Sequence, residues 1–225
     1  LTVISIGSNA FTECSNLISV TIPSSIISIG SQAFWGCVKL KSIYSYNTSP
    51  QSLMNSSNVF NLVNKNTCTL YVPFGCKTLY GSAIQWEDFV NIVEMPGIFF
   101  SKNSLGKDPK GGTAQVAISS STDWSATSDQ TWLTVNPSGG LAGIDTITFT
   151  ASANTSLATR TVSITISAKD LEPKTITVSQ LGKVEVSAGN LKTILAGQLS
   201  SITHLTLSGT IDARDFKTMR DEMPV

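Results

Sequence analysis

Two hydrophobic rhythms run along this 225-residue chain. Near the start the apolar positions recur as a block. Ile4-Ser5-Ile6-Gly7-Ser8-Asn9-Ala10-Phe11 returns as Ile27-Ser28-Ile29-Gly30-Ser31-Gln32-Ala33-Phe34, and the same 23-residue offset carries on to Cys14/Cys37, Leu17/Leu40 and Val20/Ile43. A fixed period of roughly 20–29 residues is the mark of a solenoid whose turns stack their apolar positions into one core. Within each turn the alternation Leu17-Ile18-Ser19-Val20-Thr21-Ile22 predicts a strand, and Pro23 closes it because proline cannot donate to a ladder. Ile4, Ile6, Ala10, Phe11, Cys14, Leu17, Val20 and Ile22 are expected to point inward, with Gly7 and Gly30 supplying a positive φ at a corner. At Ser45 and Tyr46 the pattern breaks, so the array is expected to end there. Residues 47–67 read as irregular, and an array that ends there needs a cap over its open edge.

After Met95-Pro96-Gly97 the second rhythm begins. Short period-two runs at 98–101, 113–119, 123–127, 132–135, 145–151, 160–168 and 174–180 are separated by Gly, Asn, Pro and Asp clusters. Seven short strands with such turns predict an immunoglobulin-like sandwich. Its inward set would be Ala114, Val116, Ile118, Trp124, Leu133 or Trp132, Ile147, Phe149, Val162, Ile164, Ile166, Ile176 and Val178. The last stretch, 183–225, reads as strands at 184–186 and 204–207 and helices at 190–199 and 212–222. Asp212 is its candidate N-cap, Asp215 follows three residues on, and Phe216, Met219 and Met223 share a face.

Composition narrows the picture. Charged residues make up 13% of the chain, against about 25% in an ordinary soluble domain, so Ser and Thr carry the polarity, as suits exposed β-structure. Basic and acidic residues balance at 15 each with no basic run, which leaves no electrostatic case for nucleic acid. No apolar run is long enough to span a bilayer, and direct membrane insertion is not expected. The opening Leu-Thr-Val-Ile-Ser-Ile lacks the basic start of a signal peptide and already lies inside a repeat. The expectation is therefore a segment of a longer chain, with further turns before residue 1. Four cysteines are too few for a disulfide scaffold. Cys14 and Cys37 read as a stacked apolar pair, and Cys68 and Cys76 bracket a strand-turn where pairing is an open alternative.

The first 46 residues resemble the BspA-type leucine-rich repeat at nearly every apolar position, and 68–95 is similar to its terminal unit, which implies a last strand and a short helix near residues 79–83 covering the open end. The stretch 183–225 is similar to the unit that precedes such repeats. The run Asp123-Trp-Ser-Ala-Thr-Ser-Asp-Gln-Thr-Trp-Leu-Thr-Val-Asn-Pro-Ser-Gly-Gly, with Arg160-Thr-Val-Ser-Ile-Thr-Ile further on, resembles a BACON domain. The expected fold is thus mainly β. It comprises a leucine-rich-repeat solenoid end with its cap (1–95), a seven-stranded immunoglobulin-like β-sandwich (96–182) and a small α+β C-terminal unit (183–225). The resemblance implies a bacterial cell-surface or secreted location and adhesion to host or microbial surface proteins or glycans. It also implies that the BACON segment either binds carbohydrate or serves as a spacer.

No catalytic constellation is legible. His204 is the only histidine and sits in a Leu-Thr-Leu strand pattern, where it reads as structural. No Gly-x-Ser-x-Gly elbow, phosphate loop or zinc spacing occurs, so neither enzyme activity nor a metal or cofactor is expected. Glu87 and Asp88 read as solvated carboxylates of the cap. The candidate ligand-binding residues are exposed aromatics, since sugars and peptides pack on aromatic faces: Trp35, Tyr44 and Tyr46 on the solenoid, Trp124 and Trp132 on the sandwich. For each, incidental packing is the competing reading. Three functions stand open: adhesion through the repeat array, carbohydrate binding through Trp124 and Trp132, or a structural stalk. Burial of both tryptophans would remove the second. A last expectation is a head-to-tail contact in which 183–225 covers the repeat edge near residue 1.

Overall fold

The computed structural model describes residues 3–223 except 157, 198, 203, 204 and 206. In the solenoid, strands β1 (Ser5–Ile6), β2 (Ser19–Ile22), β3 (Ser28–Ile29), β4 (Ser42–Ser45), β5 (Thr69–Pro73) and β6 (Asn91–Met95) surround one short helix, α1 (Lys77–Gly81). A four-stranded parallel sheet runs β2-β4-β5-β6, and β1 pairs with β3 in parallel on another side of the coil. Parallel neighbours at one turn's offset are what stacked repeats must produce.

The array does not end at Tyr46. Gln32, Phe34 and Gly36 donate their backbone N–H groups to Ser57, Val59 and Asn61, as Asn9, Phe11 and Glu13 do to Ser31, Ala33 and Trp35 one turn earlier. Phe11, Phe34 and Phe60 form a stacked ladder of near-parallel rings with centroids 5.2 and 5.7 Å apart. Residues 47–67, read as irregular, are therefore a third turn lengthened by three residues. Left-handed backbone recurs with the turn, at Asn9, Gln32, Asn58 and Gln85 and again at Glu13, Gly36 and Leu62. These positions, not Gly7 and Gly30, make the corners. Gly30 is needed for a different reason: a Cβ there would lie 2.4 Å from the Ser8 nitrogen of the preceding turn.

At the fourth turn the Gln85 side chain replaces backbone. Its Oε1 accepts from Val59 N, and its Nε2 donates to the carbonyls of Leu53 and Ser56. Trp86 and Phe89 close over Phe60 at 4.9 and 5.2 Å. Tyr80 from α1 is fully buried, sharing a hydrogen bond with the Ser45 hydroxyl and donating to the Asn47 carbonyl. Ser45, which broke the sequence pattern, thus points inward to a polar partner. Cys37, Cys68 and Cys76 are buried free thiols, so Cys68 and Cys76 do not pair. Cys14 is exposed and Ile4 is 57% exposed, because the first turn has a neighbour on one side only within this chain.

Nine strands make the sandwich: β7 (Ile98–Phe100), β8 (Ser104–Lys107), β9 (Gly112–Ser120), β10 (Trp124–Thr127), β11 (Leu133–Asn136), β12 (Gly139–Gly140), β13 (Gly143–Ala151), β14 (Arg160–Ala168) and β15 (Lys174–Gln180). One sheet runs β12-β10-β14-β15-β8, the other β11-β13-β9-β7. The two strands beyond the expected seven are β8, which joins β15 in parallel, and β12, a two-residue strand in what reads as a Gly-Gly turn. Both lack the apolar alternation that marks a strand in sequence. The period-two positions fill the core as read, with Leu133 buried in place of its neighbour Trp132; the exception is Ala114, which is only half-buried and lies outside the core that β9 enters at Val116. Gln180 is fully buried and donates to the carbonyls of Asp108, Pro109 and Ser152, binding the β8–β9 and β13–β14 loops together at one end.

The C-terminal unit holds β16 (Val184–Val186), α2 (Leu191–Ile194), β17 (Leu207–Gly209) and α3 (Ala213–Glu222). Strand β16 pairs with β17 in parallel, Val184 opposite Leu207, which is again an offset of 23. Asp212 caps α3 through a capping box with Asp215. Phe216 faces solvent, 59% exposed, and Asp215 takes the inward place instead. Its carboxylate accepts from the backbone N–H groups of Gly189, Leu191 and Asp212. His204 lies outside the described residues.

Candidate binding surfaces

The parallel sheet of the solenoid turns one face outward. In register across it stand Thr21, Tyr44, Tyr71 and Val93, and beside them Ser19, Ser42, Thr69 and Asn91. Inward neighbours such as Ile22, Ile43, Leu70 and Ile92 hold these strands to the core, so the outward side chains sit on a rigid support. Tyr44 and Tyr71 are half-buried and stack at 4.6 Å with their planes 7° apart. Their hydroxyls have no hydrogen-bond partner among the described residues. A row of two stacked rings edged by hydroxyl, amide and methyl groups offers apolar area and hydrogen bonds at low conformational cost, a combination that suits a binding face.

Tyr71 was not among the sequence candidates. It lies on a strand read only as a cap, 27 residues beyond Tyr44, and the extended turn hid its register. Trp35 is half-buried at a corner of the coil, away from this row. Tyr46, 40% exposed, packs against Phe99 of the sandwich at 5.7 Å and belongs to the junction between the two domains.

On the sandwich, the two tryptophans separate. Trp124 is 4% exposed and packs in the core, so its ring is no platform for a sugar. Its indole N–H meets no acceptor among the described residues. The Gly139-Gly140 strand passes directly over it: a Cβ on Gly140 would stand 2.8 Å from the Trp124 Nε1. Trp132 is half-buried against the core, with the Arg160 guanidinium over its ring at 4.4 Å. Arg160 is held there by the carbonyls of Ser152 and Ala153 and by Gln180 Oε1. One face of the Trp132 ring is thereby covered by the protein's own cation. Trp124 and Trp132 do not come together into one surface.

The buried thiols are unsuited to chemistry at neutral pH. Burial pushes Cys68 up to about 11 and, with Glu94 nearby, Cys76 up to about 12. Among the described residues no group of three or more His, Cys, Asp or Glu could hold a metal ion, and no helix is long and apolar enough to cross a membrane. Asp88 of the cap pairs with Lys65 at 3.3 Å.

These features define a modular repeat protein: a parallel-stranded solenoid joined to an antiparallel sandwich. The family comparisons give both modules a name. Residues 1–94 match the BspA type leucine rich repeat region (6 copies), and residues 98–183 match the viral BACON domain. The chain therefore carries a BspA-type leucine-rich-repeat region followed by a BACON domain. Among solved structures, a Bacteroides ovatus GH5 xyloglucanase in complex with a XXXG heptasaccharide aligns at 22% identity over 41% of this chain and 20% of its own, with a TM-score of 0.37. The periplasmic chaperone SfaE aligns at 10% identity over 48% of this chain and 67% of its own (TM-score 0.34). A Bacteroides thetaiotaomicron protein solved by NMR aligns at 14% over 38% and 87% (TM-score 0.27). Likenesses of this size carry no functional argument. No curated protein matches the chain.

Proposed function

We propose that this is a non-enzymatic binding protein displayed at a cell surface or secreted, whose partner docks on the outward face of the solenoid sheet. Surface proteins or glycans of a host or of other microbes are the partner class. The reading is carried by one observation: the stacked Tyr44–Tyr71 pair in the row Thr21, Tyr44, Tyr71 and Val93, presented on strands fixed by a buried core. The match to the two domain families supports the same class of function. The competing carbohydrate reading through the sandwich is weakened by the burial of Trp124 and by Arg160 over Trp132.

The test is an array of matrix proteins and glycans probed with the intact chain. Binding is expected to disappear in the Tyr44→Ala/Tyr71→Ala double variant and to persist in Trp132→Ala, with melting curves checking that each variant is folded. Loss in Trp132→Ala alone would move the site to the sandwich. Silence across the array with every variant would favour a structural stalk.

A further inference from the structure

Where the solenoid meets the sandwich, a crevice of about 390 Å³ opens between them. This is within the range of small-molecule sites, roughly 300–1,000 Å³. The solenoid contributes Ser24 and Tyr46, and the sandwich contributes Phe99, Asn103 and Lys174. The Tyr46 ring leans at 54° against Phe99, which leaves part of it open to the crevice. The Lys174 ammonium lies 5.1 Å from the centre of the Phe99 ring. Lys174 as a whole is exposed, but its ammonium is partly desolvated at that position, which lowers its pKa.

Two features point to a ligand. Lys174 forms no ion pair among the described residues, and the only charged side chain lining the crevice is its own. Glu172 lines an adjoining crevice that Lys174 also borders, and the two make no ion pair. The side chains of Ser24 and Asn103 likewise make no hydrogen bonds within the described residues. An unpaired cation, a partly open aromatic ring and two unused polar side chains thus converge on one space, contributed by two domains.

We propose that this crevice binds a carboxylate carried on a six-membered ring. The carboxylate would lie against Lys174, the flat apolar side of the ring against Tyr46, and its hydroxyl groups within reach of Ser24 and Asn103. An acidic sugar and an aromatic acid share that chemistry.

The experiment is a titration of the intact chain with three probes: methyl glucuronide, 4-hydroxyphenylacetate and, as the uncharged control, methyl glucoside. Binding is read by calorimetry and ligand-observed NMR. At least one acid is expected to bind, with the glucoside weaker by about tenfold or more, the worth of one charge-assisted contact. Whichever acid binds more tightly identifies the source. Lys174→Met should weaken the acid by about tenfold without moving the melting midpoint, and Tyr46→Leu should weaken both acids. Tyr44→Ala should leave this binding intact, which separates it from the sheet face. The proposal is overturned if neither acid saturates at millimolar concentration, if the glucoside binds as tightly as the acids, or if Lys174→Met leaves their affinities unchanged.

Discussion

Replacing Phe60 tests whether residues 47–67 form a true solenoid turn. Phe60 is 1% exposed and touches three rings, Phe34 at 5.7 Å, Trp86 at 4.9 Å and Phe89 at 5.2 Å. Truncating a buried Phe to Ala costs about 3–5 kcal/mol when the site cannot collapse. Here it cannot collapse freely, because the rings above and below are fixed by backbone bonds from Phe34 N to Val59 O and by the Gln85 bridge. Aromatic pairs add about 0.5–1.5 kcal/mol beyond area, part of which the truncation figure already contains. Phe60→Ala should therefore cost about 4–5 kcal/mol, a third or more of the roughly 5–14 kcal/mol expected for a domain this size. Because that variant could unfold outright, Phe60→Leu gives a second reading at about 1–2 kcal/mol. Phe216→Ala on the exposed face of α3 should stay within about 0.5 kcal/mol. The assay is urea unfolding followed by tryptophan fluorescence, since Trp86 reports the ladder directly. A loss below about 2 kcal/mol in Phe60→Ala would show that the third turn is not packed as described.

The remaining predictions concern titratable groups. In the folded chain iodoacetamide at neutral pH should modify Cys14 rapidly, while Cys37, Cys68 and Cys76 react only after unfolding, as read by mass spectrometry. Rapid labelling of a second thiol would contradict the buried ladder. Burial alone would raise the pKa of Asp215, but three backbone N–H donors outweigh it and hold the carboxyl below the ordinary aspartate value. The unfolded chain then binds the proton more readily, so this stabilisation is full above about pH 4 and is lost as pH falls through the lower folded value. Hydrogen-exchange protection at Gly189 and Leu191 should decline across that acid range, and Asp215→Asn should flatten the decline. Asp212, Asp221 and Glu185 also titrate low in this unit, and the Asn variant isolates Asp215 from them.

How far the sequence was legible follows from where its signals are local. The 23-residue echo and the period-two runs are one-dimensional patterns, and the solenoid, the sandwich core and the α3 cap follow from them. The third turn escaped because three inserted residues broke the period. The clue was present: Ser57-Asn58-Val59-Phe60 repeats Ser8-Asn9-Ala10-Phe11 with one substitution, and Asn58 keeps the left-handed backbone of Asn9. Strands β8 and β12 escaped because their residues, Ser104–Lys107 and Gly139–Gly140, carry almost no apolar signal; only their neighbours make them strands. Of the candidate aromatics, Tyr44 lies on the open face, but its partner Tyr71 needed the true register. Trp124 obeys the alternation and was readable as core. The fate of Trp132 depended on Arg160, 28 residues away, and that of Tyr46 on Phe99 in another domain. Long-range packing of this kind leaves no trace in periodicity.

The junction changes what the sandwich can be. A spacer would swing on the Pro96-Gly97 link, but three contacts oppose that. The Ser119 hydroxyl donates to the Phe74 carbonyl at 2.6 Å, Tyr46 packs on Phe99, and Gly75 lies so close to Ile144 that a Cβ would come within 3.2 Å of it. All three lie where the β4 and β5 strands leave the sheet, so the sandwich grips the solenoid along the ends of its outward face. Tyr46 follows Tyr44 by two residues, about 7 Å along an extended chain. Tyr46 lines the Lys174 crevice, so one short run of chain connects the Tyr44–Tyr71 row to it. On the binding reading proposed above, a long partner lying along the strand would meet the stacked aromatics first and Lys174 next, and the sandwich would then contribute to recognition as well as mount the solenoid.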